Sequence, residues 1–132
     1  MRFLISALLV LVAGCRSGGF EPDEGHLTGT IFYRERIALP EGARVELRLI
    51  DVTEPGEELP VIASAEWPVA GSVPLPFDLE YERARVGTER DYALEGSIWS
   101  GEQRLFVTRE TNLVLTRGRP RVLDLLVKRP DE

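Results

Sequence analysis

From His26 onward, apolar and polar positions alternate with a period of two, the pattern of half-buried strands. Leu27, Gly29, Ile31 and Tyr33 share one face against Thr28, Thr30 and Phe32. Val45, Leu47 and Leu49 alternate with Arg44, Glu46 and Arg48, the cleanest such run in the chain. Val61, Ala63 and Ala65 oppose Ile62, Ser64 and Glu66, and Phe77, Leu79 and Tyr81 oppose Asp78, Glu80 and Glu82. Tyr92, Leu94, Gly96 and Ile98 alternate with Ala93, Glu95 and Ser97. Leu105 and Val107 alternate with Arg104 and Thr108, and Leu123, Leu125 and Val127 with Val122, Asp124, Leu126 and Lys128. These runs predict seven strands, with Leu113–Thr116 as a short eighth. Turn chemistry separates them at Pro40-Glu41-Gly42, Glu54-Pro55-Gly56, Pro68 to Ser72, Ser100-Gly101-Glu102 and Arg117 to Pro120. Strands at this spacing, with no segment of a dozen residues keeping a 3.6 period, predict an all-β fold. A single small antiparallel β-sandwich or partly open barrel over residues 26–132 follows. Pro74 and Pro76 place the start of their strand on a sheet edge or at a bulge.

The N-terminus follows a different pattern. An apolar run from Phe3 to Ala13 begins after Arg2 and ends in Leu11-Val12-Ala13-Gly14-Cys15. A charged start, a short apolar core and small residues before a cleavage point make a secretory signal. The run is too short to span a bilayer, which needs about 20 residues. Small residues directly before the sole cysteine resemble the lipobox of bacterial lipoproteins. The resemblance implies that residues 1–14 are removed and that Cys15 is acylated and anchors the protein. A buried helix with a free thiol, or a signal cleaved elsewhere with Cys15 structural, are the competing readings. Arg16 to Gly25 is polar and glycine-rich and reads as a tether, so residues 15–25 form the lipidated cysteine and a linker. Ten extended residues reach about 35 Å at most. Phe20 within it dips into the interface or packs on the domain.

Composition narrows the function. The chain has 132 residues and a net charge of −6, which becomes −7 when Arg2 leaves with the signal. The remaining 118 residues (132 − 14) suffice for one domain with a real core. An acidic body is a poor partner for nucleic acid, whose phosphates call for clustered Lys and Arg. One cysteine permits no internal disulfide, so packing alone holds the fold.

Catalytic chemistry finds few candidates, and the chain is expected not to be an enzyme and to need no cofactor or metal. His26 is the sole histidine, so a His-rich metal site is impossible and any Ser-His-Asp triad depends on it. At the junction of tether and first strand, it reads as solvated. Asp78 and Glu80 share one strand face as a solvated pair rather than as a glycosidase dyad. Glu54 to Glu58 reads as an acidic turn without the alternating oxygen ligands of a calcium loop. Tyr33-Arg34-Glu35-Arg36 offers either ion pairs on a sheet face or a rim on which Tyr33, Arg34 and Arg36 dock a partner's peptide or carboxylate. Trp67 and Trp99 read as core anchors, with partner contact as the alternative. Strand addition at a free sheet edge is a further docking mode.

Several segments in order resemble the YbaY/YscW family of bacterial lipoproteins. They are Gly29-Thr30-Ile31-Phe32-Tyr33-Arg34-Glu35-Arg36-Ile37-Ala38-Leu39-Pro40, Ala43 to Val52, and Pro74-Leu75-Pro76-Phe77-Asp78-Leu79-Glu80-Tyr81. Tyr92-Ala93-Leu94, Ile98, Gly101, Leu105-Phe106 and Leu115-Thr116-Arg117-Gly118 complete the match over about 90 residues. The general pattern is closer to the YbaY branch. The resemblance implies a small β-sandwich on a lipid anchor facing the periplasm. It also implies a non-catalytic, protein-binding or chaperone-like module whose partner is an envelope or secretion-system protein. In the YscW branch such proteins are pilotins, which bind the C-terminal tail of a secretin and help it reach the outer membrane. By the sorting rule of enteric lipoproteins, Arg16 after the cysteine favours the outer membrane. A structural or stress-related envelope lipoprotein that binds glycan or lipid is the alternative.

Overall fold

The computed structural model describes residues 23–131. The expected signal, Cys15 and most of the tether lie outside these residues. Eight strands form: β1 (Glu24–Phe32), β2 (Arg44–Asp51), β3 (Val61–Pro68), β4 (Leu75–Glu82), β5 (Tyr92–Ser100), β6 (Gln103–Val107), β7 (Leu113–Val114) and β8 (Val122–Leu126). The alternation that predicted β2 and β4 is the burial pattern observed: Val45, Leu47 and Leu49, and Leu75, Phe77, Leu79 and Tyr81, point inward. Two sheets stack these inward faces, one in the order β4-β1-β8 and the other β3-β2-β5-β6, with β7 also on β5. Leu27, Ile31 and Leu125 of the first sheet pack among Val45, Leu47, Leu94 and Ile98 of the second. Such burial of apolar area is the main force holding a disulfide-free domain.

The sheets meet along one side only. There Val107 and Lys128 exchange backbone hydrogen bonds of 2.8 and 2.9 Å, joining the strand after β8 to β6. On the other side β3 and β4 are separate edges, so the structure is a sandwich and not a closed barrel. Pro74 and Pro76 lie at the start of edge strand β4, as the missing N–H groups require.

Four details differ from the sequence expectation. First, β8 runs parallel to β1, with Thr28 opposite Val122 and Phe32 opposite Leu126. Their long connection makes a parallel return possible. Gly29 makes it fit: a Cβ there would lie 1.7 Å from the Leu123 carbonyl oxygen. Second, β1 begins at Glu24, two residues inside the expected tether, because Glu24 and Gly25 pair with Glu82 and Tyr81. The bare backbone of Gly25 leaves room for the Tyr81 ring, whose Cζ lies 2.3 Å from where a Cβ would be. Third, the phase of β6 is opposite: Phe106 is buried, while Leu105 and Val107 are half-buried. A register shift beside Trp99 sets Phe106 against Ile98. Fourth, a bulge at Leu49/Ile50 turns Ile62 of β3 into the core.

Gly96 lies at the centre of the second sheet's inner face. The space where its Cβ would project is filled from the opposite sheet by Ile31 Cδ1 at 2.9 Å and Leu125 Cδ1 at 3.5 Å. A side chain here would force Ile31 and its neighbours to repack.

Candidate partner-binding surface

The segment 33–37 leaves the C-terminal end of β1. Tyr33 is the last inward residue of the alternation, and its ring stacks on Phe106 with centroids 4.5 Å apart and planes 5° from parallel. Its hydroxyl donates to the Ile37 carbonyl at 2.6 Å, which closes the turn over the ring. Burial and the nearby Glu35 charge push the phenol's pKa up, so the hydroxyl keeps its donor proton. Tyr33 therefore positions this segment and is not itself displayed.

Glu35 takes a two-pronged grip from Arg129: Nε donates at 2.9 and 3.0 Å, and Nη2 donates at 2.8 Å. Those bonds hold the Glu35 carboxyl below the usual carboxylate range. The Arg129 guanidinium also lies 5.4 Å from the Phe106 ring centre. Ring stack, turn hydrogen bond and ion pair thus fix the backbone on both sides of Arg34 and Arg36. Both arginines are exposed, and neither has an ion-pair partner among the described residues. Of the charges expected to pair on this face, Glu35 alone does so.

Two shallow pockets flank Tyr33. One, of about 270 Å³, is lined by Arg34, Phe106, Leu126 and Lys128. The other, of about 490 Å³, is lined by Phe32, Val73, Pro74 and Asp124. Part-apolar hollows with the Arg34 guanidinium on the rim of one of them and Arg36 two residues on in the chain suit an amphipathic segment that carries carboxylates.

The tryptophans separate. Trp67 faces inward opposite Val45 and packs against the core, as expected. Trp99 departs from that expectation. It follows inward-facing Ile98 and so points outward, half-buried between Arg44 and Arg104 at 5.4 and 4.9 Å from its ring centre. Its indole Nε1 is buried without a hydrogen-bond partner among the described residues. His26, Asp78 and Glu80 lie on the exposed outer face of β1 and β4, the solvated setting expected of them. His26 Nδ1 and Asp78 Oδ1 are 2.7 Å apart, and that contact raises the imidazole pKa. Glu54, Glu57 and Glu58 form an exposed turn.

The opposite end of the sandwich carries a polar network that the sequence reading did not identify. Asp51 accepts from Arg90 Nε at 2.6 Å, from the Thr53 hydroxyl at 2.6 Å and from the Thr53 N–H at 3.0 Å. Burial pushes its carboxyl up, but these hydrogen bonds outweigh burial and hold the pKa below the ordinary value. Asp91 is shared by Arg119 at 2.5 Å and Arg117 at 3.1 Å. Thr116 donates to the Arg90 carbonyl at 2.6 Å. The available signal was an Asp at a strand end followed two residues later by Thr, a local cap in sequence terms. The arginines come from loops 26 to 39 positions away, which no local pattern reveals.

Comparison with known proteins follows the same lines. No curated protein matches the chain significantly. Among solved structures, an alternative pilotin from the type II secretion system of Vibrio cholerae is similar, with a TM-score of 0.75 and 29% identity. The match covers 79% of this chain and 95% of that one. Neither comparison supports a stress-related glycan- or lipid-binding lipoprotein. The family model described as type III secretion system lipoprotein chaperone (YscW) matches residues 22–126, nearly the whole sandwich, and the chain therefore belongs to the YscW family.

Proposed function

We propose that this protein is a lipid-anchored, pilotin-like chaperone of the outer membrane that binds the C-terminal segment of a secretin without turning over a substrate. The family match over residues 22–126 carries this reading. The fold shared with a type II secretion pilotin supports it. In this reading Cys15 holds the chain to the membrane through its acyl groups, since two lipid signals anchor stably where one does not. The partner docks at the end of β1. Tyr33 fixes the turn, Arg34 and Arg36 meet the partner's carboxylates, and the hollows beside Phe32 and Leu126 take its apolar side chains.

The test uses the full chain with native Cys15 and a Cys15→Ala form in a Gram-negative host. Membranes are separated, and purified protein is titrated with the C-terminal peptides of the secretins encoded in the same genome. The expected result is outer-membrane wild type, a Cys15→Ala form lost from that membrane, and micromolar or tighter binding to one secretin tail. Arg34→Glu with Arg36→Glu should weaken that binding at least tenfold. Absence of binding to every secretin tail would sink the chaperone reading, and an unshifted Cys15→Ala form would sink the anchor.

A further inference from the structure

The polar end of the sandwich also holds a pocket of about 340 Å³ whose chemistry differs from the rest of this acidic protein. Arg83, Arg117 and Arg121 line its rim, and Tyr81, Val86 and Leu115 form an apolar floor. No carboxylate is among the residues lining it. Arg121 is exposed, and its guanidinium has no partner among the described residues. Arg117 shares the single charge of Asp91 with Arg119 and donates to the Glu89 carbonyl at 2.7 Å, so these two arginines carry one positive charge more than the carboxylate between them. Val122, next in the chain, is 70% exposed, the most exposed large apolar side chain described.

The chain enters the domain at this end. The Arg83 N–H donates to the Asp23 carbonyl at 2.9 Å, and the Arg83 side chain donates to the Glu24 carbonyl at 3.2 Å. Eight chain steps lead from Cys15 to Asp23, a reach of about 28 Å at full extension. An anchor at Cys15 therefore directs this end toward the bilayer. Guanidinium groups grip phosphate oxygens in two-pronged fashion, and an exposed valine beside them suits an interface where headgroups meet acyl chains.

We propose that this arginine-lined pocket binds the phosphate of an anionic phospholipid headgroup and so orients the sandwich on the membrane that holds it. The proposal rests on the anchored reading for its biological setting. Its test does not depend on the anchor. The protein used is the chain from residue 15 onward with Cys15→Ser, which keeps every core residue from Leu27 to Val127. It is mixed with vesicles of phosphatidylcholine alone or of phosphatidylcholine with phosphatidylglycerol, and the bound fraction is measured by co-sedimentation.

Each basic residue at an anionic surface contributes roughly a fivefold factor in partition. Arg121→Gln should lower binding to phosphatidylglycerol vesicles about fivefold, and the Arg117→Gln/Arg121→Gln double variant about 25-fold. The single variant breaks no contact of the fold, so its result stands even if the double variant is unstable. Arg34→Gln with Arg36→Gln removes the same charge from the far end and should leave binding unchanged. Wild type that binds anionic vesicles no better than neutral ones overturns the proposal. So does an equal loss in the far-end variant, which means diffuse charge attraction. Binding of glycerol 3-phosphate or of an acidic peptide at Arg121 without vesicle binding assigns the pocket to a soluble ligand and overturns the lipid source.

Discussion

Gly29 is the residue on which the parallel β1–β8 pairing depends most directly. Both backbone edges of β1 are occupied at this point, by Phe77 of β4 and by Leu123 of β8. In Gly29→Ala the new Cβ would meet the Leu123 carbonyl oxygen at 1.7 Å, where a comfortable C···O contact is about 3.3 Å. One strand must retreat by more than an ångström. β8 is the one to yield, since β1 and β4 share eight paired residues while β1 and β8 share five. Leu125 and Val127, 0% and 1% exposed, then lose part of their packing. Full exposure of both is worth about 3–6 kcal/mol, so partial displacement costs about half of that. A weakened ladder hydrogen bond adds about 1 kcal/mol. The expected loss is about 2.5–4 kcal/mol, a large share of the roughly 5–15 kcal/mol that holds a domain together. Gly42→Ala is the control, because its φ is +78° but no atom lies within 4 Å of the added Cβ. It should cost about 1–2 kcal/mol from backbone conformation alone. Urea unfolding followed by tryptophan fluorescence measures both variants. Equal losses would show that the close approach of the two strands is not what makes glycine necessary.

Two further predictions concern charge. Asp51→Asn removes the carboxylate that receives Arg90 and Thr53, at a cost of about 1–2 kcal/mol near neutral pH, because Arg90 is partly solvated. The folded pKa of Asp51 is depressed, so its contribution is complete above the unfolded value and is lost as pH falls through the folded one. Unfolding curves should show wild type and Asp51→Asn converging in acid, and a constant gap would remove the ion pair as its source. His26 is the sole histidine, so one NMR titration reads it without ambiguity. Its pKa should lie above the ordinary value, chiefly through the Asp78 contact, with smaller help from Glu80 and Glu24. The stabilisation it gives is fully present below the unfolded pKa and fades as pH rises through the folded one. Asp78→Asn should lower the titration midpoint, and no movement would refute the assignment.

Period-two alternation was enough to place most strands and nearly all inward faces. Val45-Leu47-Leu49 and Phe77-Leu79-Tyr81 are core where the pattern put them, because a half-buried antiparallel strand must alternate. The outward position of Trp99 was legible by the same rule, since Ile98 before it faces in. Preference for burying aromatic residues obscured it. Bulges were not legible: an inserted register shift moved Phe106 and Ile62 inward with no residue marking it in advance. The parallel return of β8 was hidden because pairing between strands about 90 residues apart leaves no local trace, although Gly29 inside a strand was a signal of close backbone approach. At the Tyr33 end, the Tyr33–Arg36 segment stood out for its charges, but which of them pair did not. Which of its charges is neutralised depends on Arg129, 94 positions downstream.

The sandwich has a direction because β1 runs from one proposed binding end to the other. Eight steps of about 3.3 Å separate Glu24 from Phe32, a span of about 26 Å. The chain enters at the Arg83–Arg121 end, and Tyr33, Arg34 and Arg36 follow directly after β1 at the far end. If the near end sits on headgroups, the far end presents its hollows about 26 Å out from the bilayer, clear of competing lipid. Neither end draws on the other's residues: Asp51, Asp91 and their arginines stitch the near loops, whereas Phe106 and Arg129 brace the far turn. The rigid core between them, closed at Gly96 to the width of bare backbone against Ile31 and Leu125, keeps the two surfaces in fixed relation. Substitutions at the arginine pocket should therefore change how the protein sits on a membrane without changing its affinity for a soluble partner peptide. Substitutions at Arg34 and Arg36 should do the reverse.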